Sequence, residues 1–119
     1  MKSYTDIEQS RKLAEILPLE SADIRYHTVS HYNTYPCDEI VYTVEFGRVS
    51  SKDIPCWSLA ALYSLLPEQT DIAKSYSDNC ETIIYWCWNS ALDIETKEYD
   101  NPVDACYEMI IKLHEQNLL

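Results

Sequence analysis

The chain contains one glycine, Gly47, among its 119 residues. Loops that cradle a phosphate and turns that bind a dinucleotide need several glycines, because only a residue without a Cβ atom lets successive backbone N–H groups close on the ligand. The sequence therefore excludes nucleotide sites of this kind. Proline and asparagine must instead form the helix ends and turns, and we expect a comparatively stiff domain with few hinges.

The length of the chain and its balance of residues are those of one globular domain. Hydrophobic residues make up 46% of the sequence and charged residues 24%, whereas a disordered chain is depleted in apolar residues. A chain of this length buries roughly two-thirds of its unfolded surface on folding. We therefore expect a single domain over residues 1–119.

Three segments have the apolar spacing of amphipathic helices, and each follows a residue that can cap a helix. The first begins at a capping box formed by Thr5 and Glu8, and the third begins with Asn101 as its cap and Pro102 in its first turn. The predicted helices cover residues 5–17, 58–66 and 101–116.

Four segments have the composition and alternation of strands, namely residues 23–29, 39–46, 82–88 and 92–99, and residues 72–76 are a further short candidate. Both faces of residues 82–88 are apolar, so we place this strand centrally, with Trp86 and Trp88 packed in the core. Gly47 follows the second strand directly. If it has a positive φ, Gly47→Val will destabilise the fold by at least ~1 kcal/mol.

The order of these elements, α-ββ-α-ββ-α, predicts an α+β domain. We expect an antiparallel sheet of four or five strands with three helices packed on one face. In residues 92–99 the side chains of Asp93, Glu95, Lys97 and Tyr99 are predicted to share one face of a solvent-facing strand. This is a simpler interpretation than a carboxylate pair for glycoside hydrolysis or a divalent-ion site formed by Asp93, Glu95 and Glu98.

Acidic residues outnumber basic residues by 20 to nine, which gives a formal net charge of -11. This charge repels nucleic-acid backbones and anionic membranes, so we expect neither direct nucleic-acid binding nor membrane binding. Because the acids are scattered along the chain, the simplest interpretation is a solvated surface. The alternative is a surface that imitates the charge of DNA and binds a basic host defence or DNA-processing enzyme.

The five cysteines are odd in number and form no C-x-x-C pair, which favours free thiols in a cytoplasmic protein over a disulfide framework. Cys56, Cys80, Cys87 and Cys106 are predicted to lie in or near the core. The polar opening MKSYTDIEQS has no apolar segment of a signal peptide, and the longest apolar run, residues 83–88, is too short to span a bilayer.

Two histidines and the remaining cysteine, His27, His31 and Cys37, form the one cluster that resembles a metal site. Their spacing fits no common zinc pattern, and a closed tetrahedral site needs a fourth ligand. Cys37 is also the best candidate nucleophile, since it lies close to His31 in sequence. We predict no catalytic residue, metal or cofactor, and keep a small hydrolase or metal-binding protein built on these three residues as an alternative.

Tyrosine is unusually abundant, with ten Tyr and three Trp against one Phe. A tyrosine buries its ring and leaves a hydroxyl for water or a partner, so the excess suits a half-exposed sheet or a recognition surface. The polar loop that contains His31, Tyr32, Asn33 and Tyr35 is hard to bury. We predict that this loop contacts a protein partner.

Three stretches resemble segments of small uncharacterised proteins encoded in prophages and mobile elements of anaerobic gut bacteria: EQSRKLAEILPLESADIRY, IPCWSLAALYSLLP and VDACYEMIIKLHEQNLL. The resemblance covers most of the chain and rests on helix starts, helix ends and core positions. It implies a phage-associated context and no assigned activity, cofactor or site residue. Together with the composition, it leads us to expect a cytoplasmic accessory protein that acts by protein–protein interaction.

Overall fold

Six strands, in the part of the chain that the structure describes, pair into two separate three-stranded antiparallel sheets. The computed structural model describes residues 1–29, 41–50 and 52–119. The contacts between residues divide the chain into two compact units. The N-terminal unit is Asp6–Trp57, and the C-terminal unit comprises Met1–Thr5 and Ser58–Leu119.

The N-terminal unit contains helix α1 and the first sheet. Helix α1 is Ile7–Ala14, and the strands are β1 (Ile24–Val29), β2 (Val41–Phe46) and β3 (Ile54–Cys56), in the spatial order β2-β1-β3. Its buried apolar side chains are Leu13, Leu17, Ile24, Tyr26, Cys56 and Trp57.

The N-terminal cap of helix α1 lies one residue later than its sequence predicts. Its capping box joins Asp6 and Gln9: the Asp6 carboxylate accepts from the Gln9 N–H at 2.8 Å, and the Asp6 N–H donates to the Gln9 side chain at 3.1 Å. The capping box predicted at Thr5 and Glu8 is therefore wrong. Both pairs have the required spacing of three residues, and the sequence does not decide between two overlapping boxes.

The C-terminal unit contains helices α2 (Leu59–Leu65) and α3 (Pro102–Glu115). Its strands are β4 (Thr70–Tyr76), β5 (Ile83–Asn89) and β6 (Ile94–Glu95), in the order β4-β5-β6. Helix α3 packs on β5 and on α2. Its buried side chains include Val103, Cys106, Met109, Ile110 and Leu113, the apolar face that its spacing predicts.

The predicted caps of α2 and α3 are confirmed. Ser58 accepts a hydrogen bond from the Ala61 N–H, Asn101 accepts one from the Asp104 N–H, and Pro102 opens α3. The α+β class and the three helices are also confirmed. The predicted single sheet of four or five strands is not confirmed. Within the described ranges, β3 completes one sheet by pairing with β1, and β4 completes the other by pairing with β5.

The predicted central position of β5 is confirmed, since β4 and β6 pair with its two edges. Gly47 has a φ of 125°, which few residues other than glycine adopt. Four further positions with positive φ carry a side chain: Gln69, Cys80, Asp93 and Asn117. In the described residues, left-handed positions that glycine would usually occupy are therefore held by residues with a side chain, Asn117 among them, at a cost in backbone strain. No described helix combines the length and apolarity needed to cross a bilayer.

Candidate functional site

The recognition loop predicted at His31, Tyr32, Asn33 and Tyr35 lies outside the described residues, as does Cys37. Of the three residues in the alternative metal or hydrolase site, His27 alone is described. It lies on β1 with its side chain 50% exposed, on the solvated face that carries Arg25. Among the described residues there is no group of three or more His, Cys, Asp or Glu side chains that could hold a metal ion.

His27 is held by Asp53, a contact that the sequence analysis does not predict. Its Nδ1 atom lies 2.8 Å from the Asp53 carboxylate, and the Asp53 side chain is 2% exposed. The hydrogen bond from His27, together with bonds from the Ser50 main chain and hydroxyl and the charge of Arg25, lowers the Asp53 pKa to about 2 against the opposing effect of burial. Asp53 is thus ionised at neutral pH, so His27 donates through Nδ1.

Arg25 links the His27–Asp53 pair to the edge strand β2. Its guanidinium lies 2.7 Å from the carboxylate of Glu45 on β2 and donates to the Arg48 carbonyl at 2.9 Å. It also lies 3.7 Å from the Asp53 carboxylate. Because Asp53 receives hydrogen bonds on both of its oxygens, the cluster fixes the turn between β2 and β3 against β1.

The buried cysteines of the C-terminal unit are poor nucleophiles. The Cys87 thiol on β5 donates a hydrogen bond to Cys106 Sγ on α3 at 3.7 Å, and both residues are buried. This hydrogen bond and burial raise the pKa of Cys87, so the thiol stays neutral at physiological pH. The predicted core positions of Cys56, Cys87 and Cys106 are confirmed, whereas Cys80 is exposed because it lies in the turn between β4 and β5.

The two faces of the β4-β5-β6 sheet have different environments. One face carries Cys87 and packs against α3. The opposite face, which we name the tryptophan face, carries Ile84, Trp86 and Trp88 of β5 with their neighbours on β4 and β6. Ile84 and Trp86 are half-buried, and Trp88 is 44% exposed. The prediction that Trp88 packs in the core is therefore wrong.

Trp88 lies at the centre of a row of three side chains that crosses the sheet. Its direct partner on β4 is Asp71, and its partner on β6 is Glu95. Both acids are exposed, as Trp88 is. Residue periodicity alone does not reveal this row, because it predicts Glu95 on a solvated strand and Trp88 in the core. The alternation of β5 marks two faces correctly but does not show that helix α3 covers one of them.

Residues 92–99 do not form the predicted long strand. Asp93 has a φ of 53°, and β6 is limited to Ile94–Glu95. Tyr99 forms an isolated bridge with Tyr85, and its hydroxyl donates to Glu108 of α3 at 2.5 Å, on the helix side of the sheet. Burial and this carboxylate raise the pKa of Tyr99 to about 12. Glu95 and Tyr99 therefore do not share a face.

Asn89 fixes the end of β5 next to Trp88. Its side chain is fully buried on the helix side, where its amide donates to the Thr70 hydroxyl at 2.8 Å and to the Glu68 carbonyl at 3.2 Å. Its oxygen accepts from the Leu92 N–H at 2.9 Å. Asn89 thus joins β4, β5 and the turn into β6.

A cleft of 790 Å³ lies near the start of α3, lined in part by Lys2, Glu81, Tyr85 and Asp104. Two of its charged groups are paired, since the Lys2 ammonium lies 2.8 Å from the Asp104 carboxylate, and Asn101 donates to Asp104 at 2.8 Å. These contacts cap and anchor α3, so the cleft has a structural explanation.

Comparisons with known proteins add no assignment to these sites. The chain matches no family model, no curated protein and no solved structure.

Proposed function

We propose that this protein acts by binding a protein partner through the tryptophan face and that it catalyses no reaction. The observation that carries the proposal is Trp88, which is 44% exposed although it lies on the central strand of its sheet. Tryptophan is among the residues that contribute most binding energy at the centre of interfaces, because a partner removes its large ring from water. A surface with two tryptophans on one strand is thus suited to association.

The tryptophan face is also held in a fixed shape. β5 is hydrogen-bonded along both edges, and the buried Asn89 side chain ties its end to β4 and to the following turn. A rigid surface loses little conformational entropy when it binds. The location of Trp86 and Trp88 on a strand rather than in a loop therefore supports a role in recognition.

Three of the described groups with acid–base or nucleophilic chemistry have structural partners. His27 is bound to Asp53, Cys87 to Cys106 and Tyr99 to Glu108. These contacts support a binding protein over a hydrolase. The loop with His31, Tyr32, Asn33 and Tyr35 remains our proposal for a second contact with the partner.

We further propose that the protein works in the cytoplasm, in a phage or mobile-element setting. The thiols of Cys87 and Cys106 are buried and form no disulfide, as is usual in a reducing compartment. The phage setting rests on the resemblance of the helix segments to prophage-encoded proteins.

A photo-crosslinking amino acid that keeps a large aromatic ring at position 88, p-benzoylphenylalanine, tests the proposed surface in the native host. The matched control places the same crosslinker at Lys74, which is exposed on the opposite face of the same sheet. We expect a defined protein adduct from position 88 and not from position 74. Equal labelling from the two positions, or no adduct from position 88, would refute the tryptophan face as the binding surface.

The DNA-mimic alternative makes a distinct prediction for the captured protein. If the acidic surface imitates DNA, the partner will be a DNA-binding protein, and duplex DNA will displace it in a salt-dependent manner. A partner that duplex DNA does not displace contradicts the mimic and leaves the accessory role.

A further inference from the structure

The row Asp71–Trp88–Glu95 places one indole between two carboxylates. Side chains directly opposite each other on neighbouring antiparallel strands have Cβ atoms about 4.5–5.5 Å apart. Trp88 has such a partner on each side, Asp71 on β4 and Glu95 on β6, and all three side chains are exposed on the tryptophan face.

Neither carboxylate of the row is neutralised by a neighbour. Within residues 1–29, 41–50 and 52–119, the side chains of Asp71 and Glu95 have no hydrogen-bond or ion-pair partner. The cation that contacts this region from the other side is Lys112 of α3. Its ammonium donates to the Glu95 carbonyl at 2.8 Å and lies 3.7 Å from the Glu108 carboxylate, so it is engaged on the helix side.

An exposed indole flanked by carboxylates has a defined chemical preference. The face of a tryptophan ring attracts cations more strongly than that of any other side chain, and arginine can stack on it while its N–H groups reach carboxylates. The net charge of -11 adds attraction for a basic partner and repulsion for nucleic acids and anionic membranes. The apolar part of the face, Ile84 and Trp86, suits the methylene stem of such a side chain.

We infer that this row binds an arginine or lysine side chain of a basic protein segment, with the cationic group over the Trp88 ring and between Asp71 and Glu95. The inference rests on the proposed function and names the chemistry of the partner. It also names residues of the binding site: Trp88 supplies the ring, and the two acids set the preference for positive charge.

The inference is tested with a short oligo-arginine peptide and with an oligo-citrulline peptide of the same length, which is nearly isosteric but uncharged. Asp71→Asn with Glu95→Gln removes the two flanking charges. Asp78→Asn with Glu81→Gln removes the same charge at exposed positions in the turn between β4 and β5, at the other end of the hairpin from the row, and is the matched control. Trp88→Leu removes the ring and keeps an apolar side chain. Thermal melting establishes that each variant is folded.

We expect the wild type to bind oligo-arginine in preference to oligo-citrulline. The Asp71→Asn, Glu95→Gln variant and the Trp88→Leu variant should each weaken oligo-arginine binding by about fivefold, and the control pair by less than about twofold. Equal weakening by the two charge variants would show attraction to the overall charge alone and overturn the inference.

The peptide-binding test of the cation site and the crosslinking test of the proposed function can fail independently. If crosslinking from position 88 captures a partner but oligo-arginine and oligo-citrulline bind alike, the tryptophan face binds protein by another chemistry. The inference about the cation then fails, and the proposed function stands. If no adduct forms from position 88, the proposed surface itself fails, and binding of the peptides does not rescue it.

Discussion

His27 donates a hydrogen bond from Nδ1 to the carboxylate of Asp53, 2.8 Å away, and thereby joins β1 to the segment immediately before β3. The residues lie 26 positions apart. The histidine that the sequence marks as a candidate ligand thus has a structural partner, whose pKa the contact helps to lower.

The stabilising effect of Asp53 should disappear in acid. Its pKa in the folded protein is about 2, below its ordinary value of 3.8, so the unfolded chain binds the proton more readily and the carboxylate stabilises the fold above pH 3.8. We expect Asp53→Asn to lower the free energy of unfolding by about 1–2 kcal/mol at neutral pH. Measured by chemical denaturation, this difference should shrink as the pH falls from 3.8 towards 2. A difference that stays constant over this range would contradict the assignment.

Any side chain at position 47 should destabilise the fold, because of the backbone conformation alone. The φ of Gly47 is 125°, and a Cβ added there meets no atom within 4 Å, so strain rather than collision sets the cost. Gly47→Ala and Gly47→Val should therefore both lower the free energy of unfolding, by about 1–2 kcal/mol. Equilibrium denaturation of the two variants checks this. An unchanged melting temperature would show that the chain relaxes at this position.

Glycine at position 117 should stabilise the fold. Asn117 follows α3 with a φ of 57°, where the Asn117 N–H donates to the His114 carbonyl and the Leu118 N–H to the Leu113 carbonyl, the two bonds of a Schellman motif. We expect Asn117→Gly to raise the free energy of unfolding by about 0.5 kcal/mol and Asn117→Ala to lower it by a similar amount. Thermal denaturation of the pair gives the sign, and a loss of stability in the glycine variant would argue against the left-handed cap.

Two tryptophans should differ sharply in their contribution to stability. Trp57 is fully buried and donates from its indole nitrogen to the Ser21 hydroxyl at 3.0 Å, whereas Trp88 is 44% exposed. Trp57→Leu should cost about 3 kcal/mol because it leaves a cavity and removes the hydrogen bond to Ser21. Trp88→Leu should cost less than about 1 kcal/mol. A comparable loss in the two variants, measured in urea, would show that Trp88 is a core residue.

The sequence by itself determined the local features of this protein. Ser58, Asn101 and Pro102 begin the helices where the spacing places them, because a cap acts on backbone groups only a few positions away. The faces of β5 and the positive φ of Gly47 are also predictable from neighbouring residues.

The tertiary structure decided which strands pair and which face is covered. β3 joins β1 through hydrogen bonds between segments distant in sequence, and β4 pairs with β5 across a short turn. The alternation of a strand does not identify its partner. The contact of α3 with Cys87 leaves Trp88 on the other face, between Asp71 and Glu95. The binding surface we propose is therefore a product of packing, since burial depends on what lies opposite a side chain rather than on its identity.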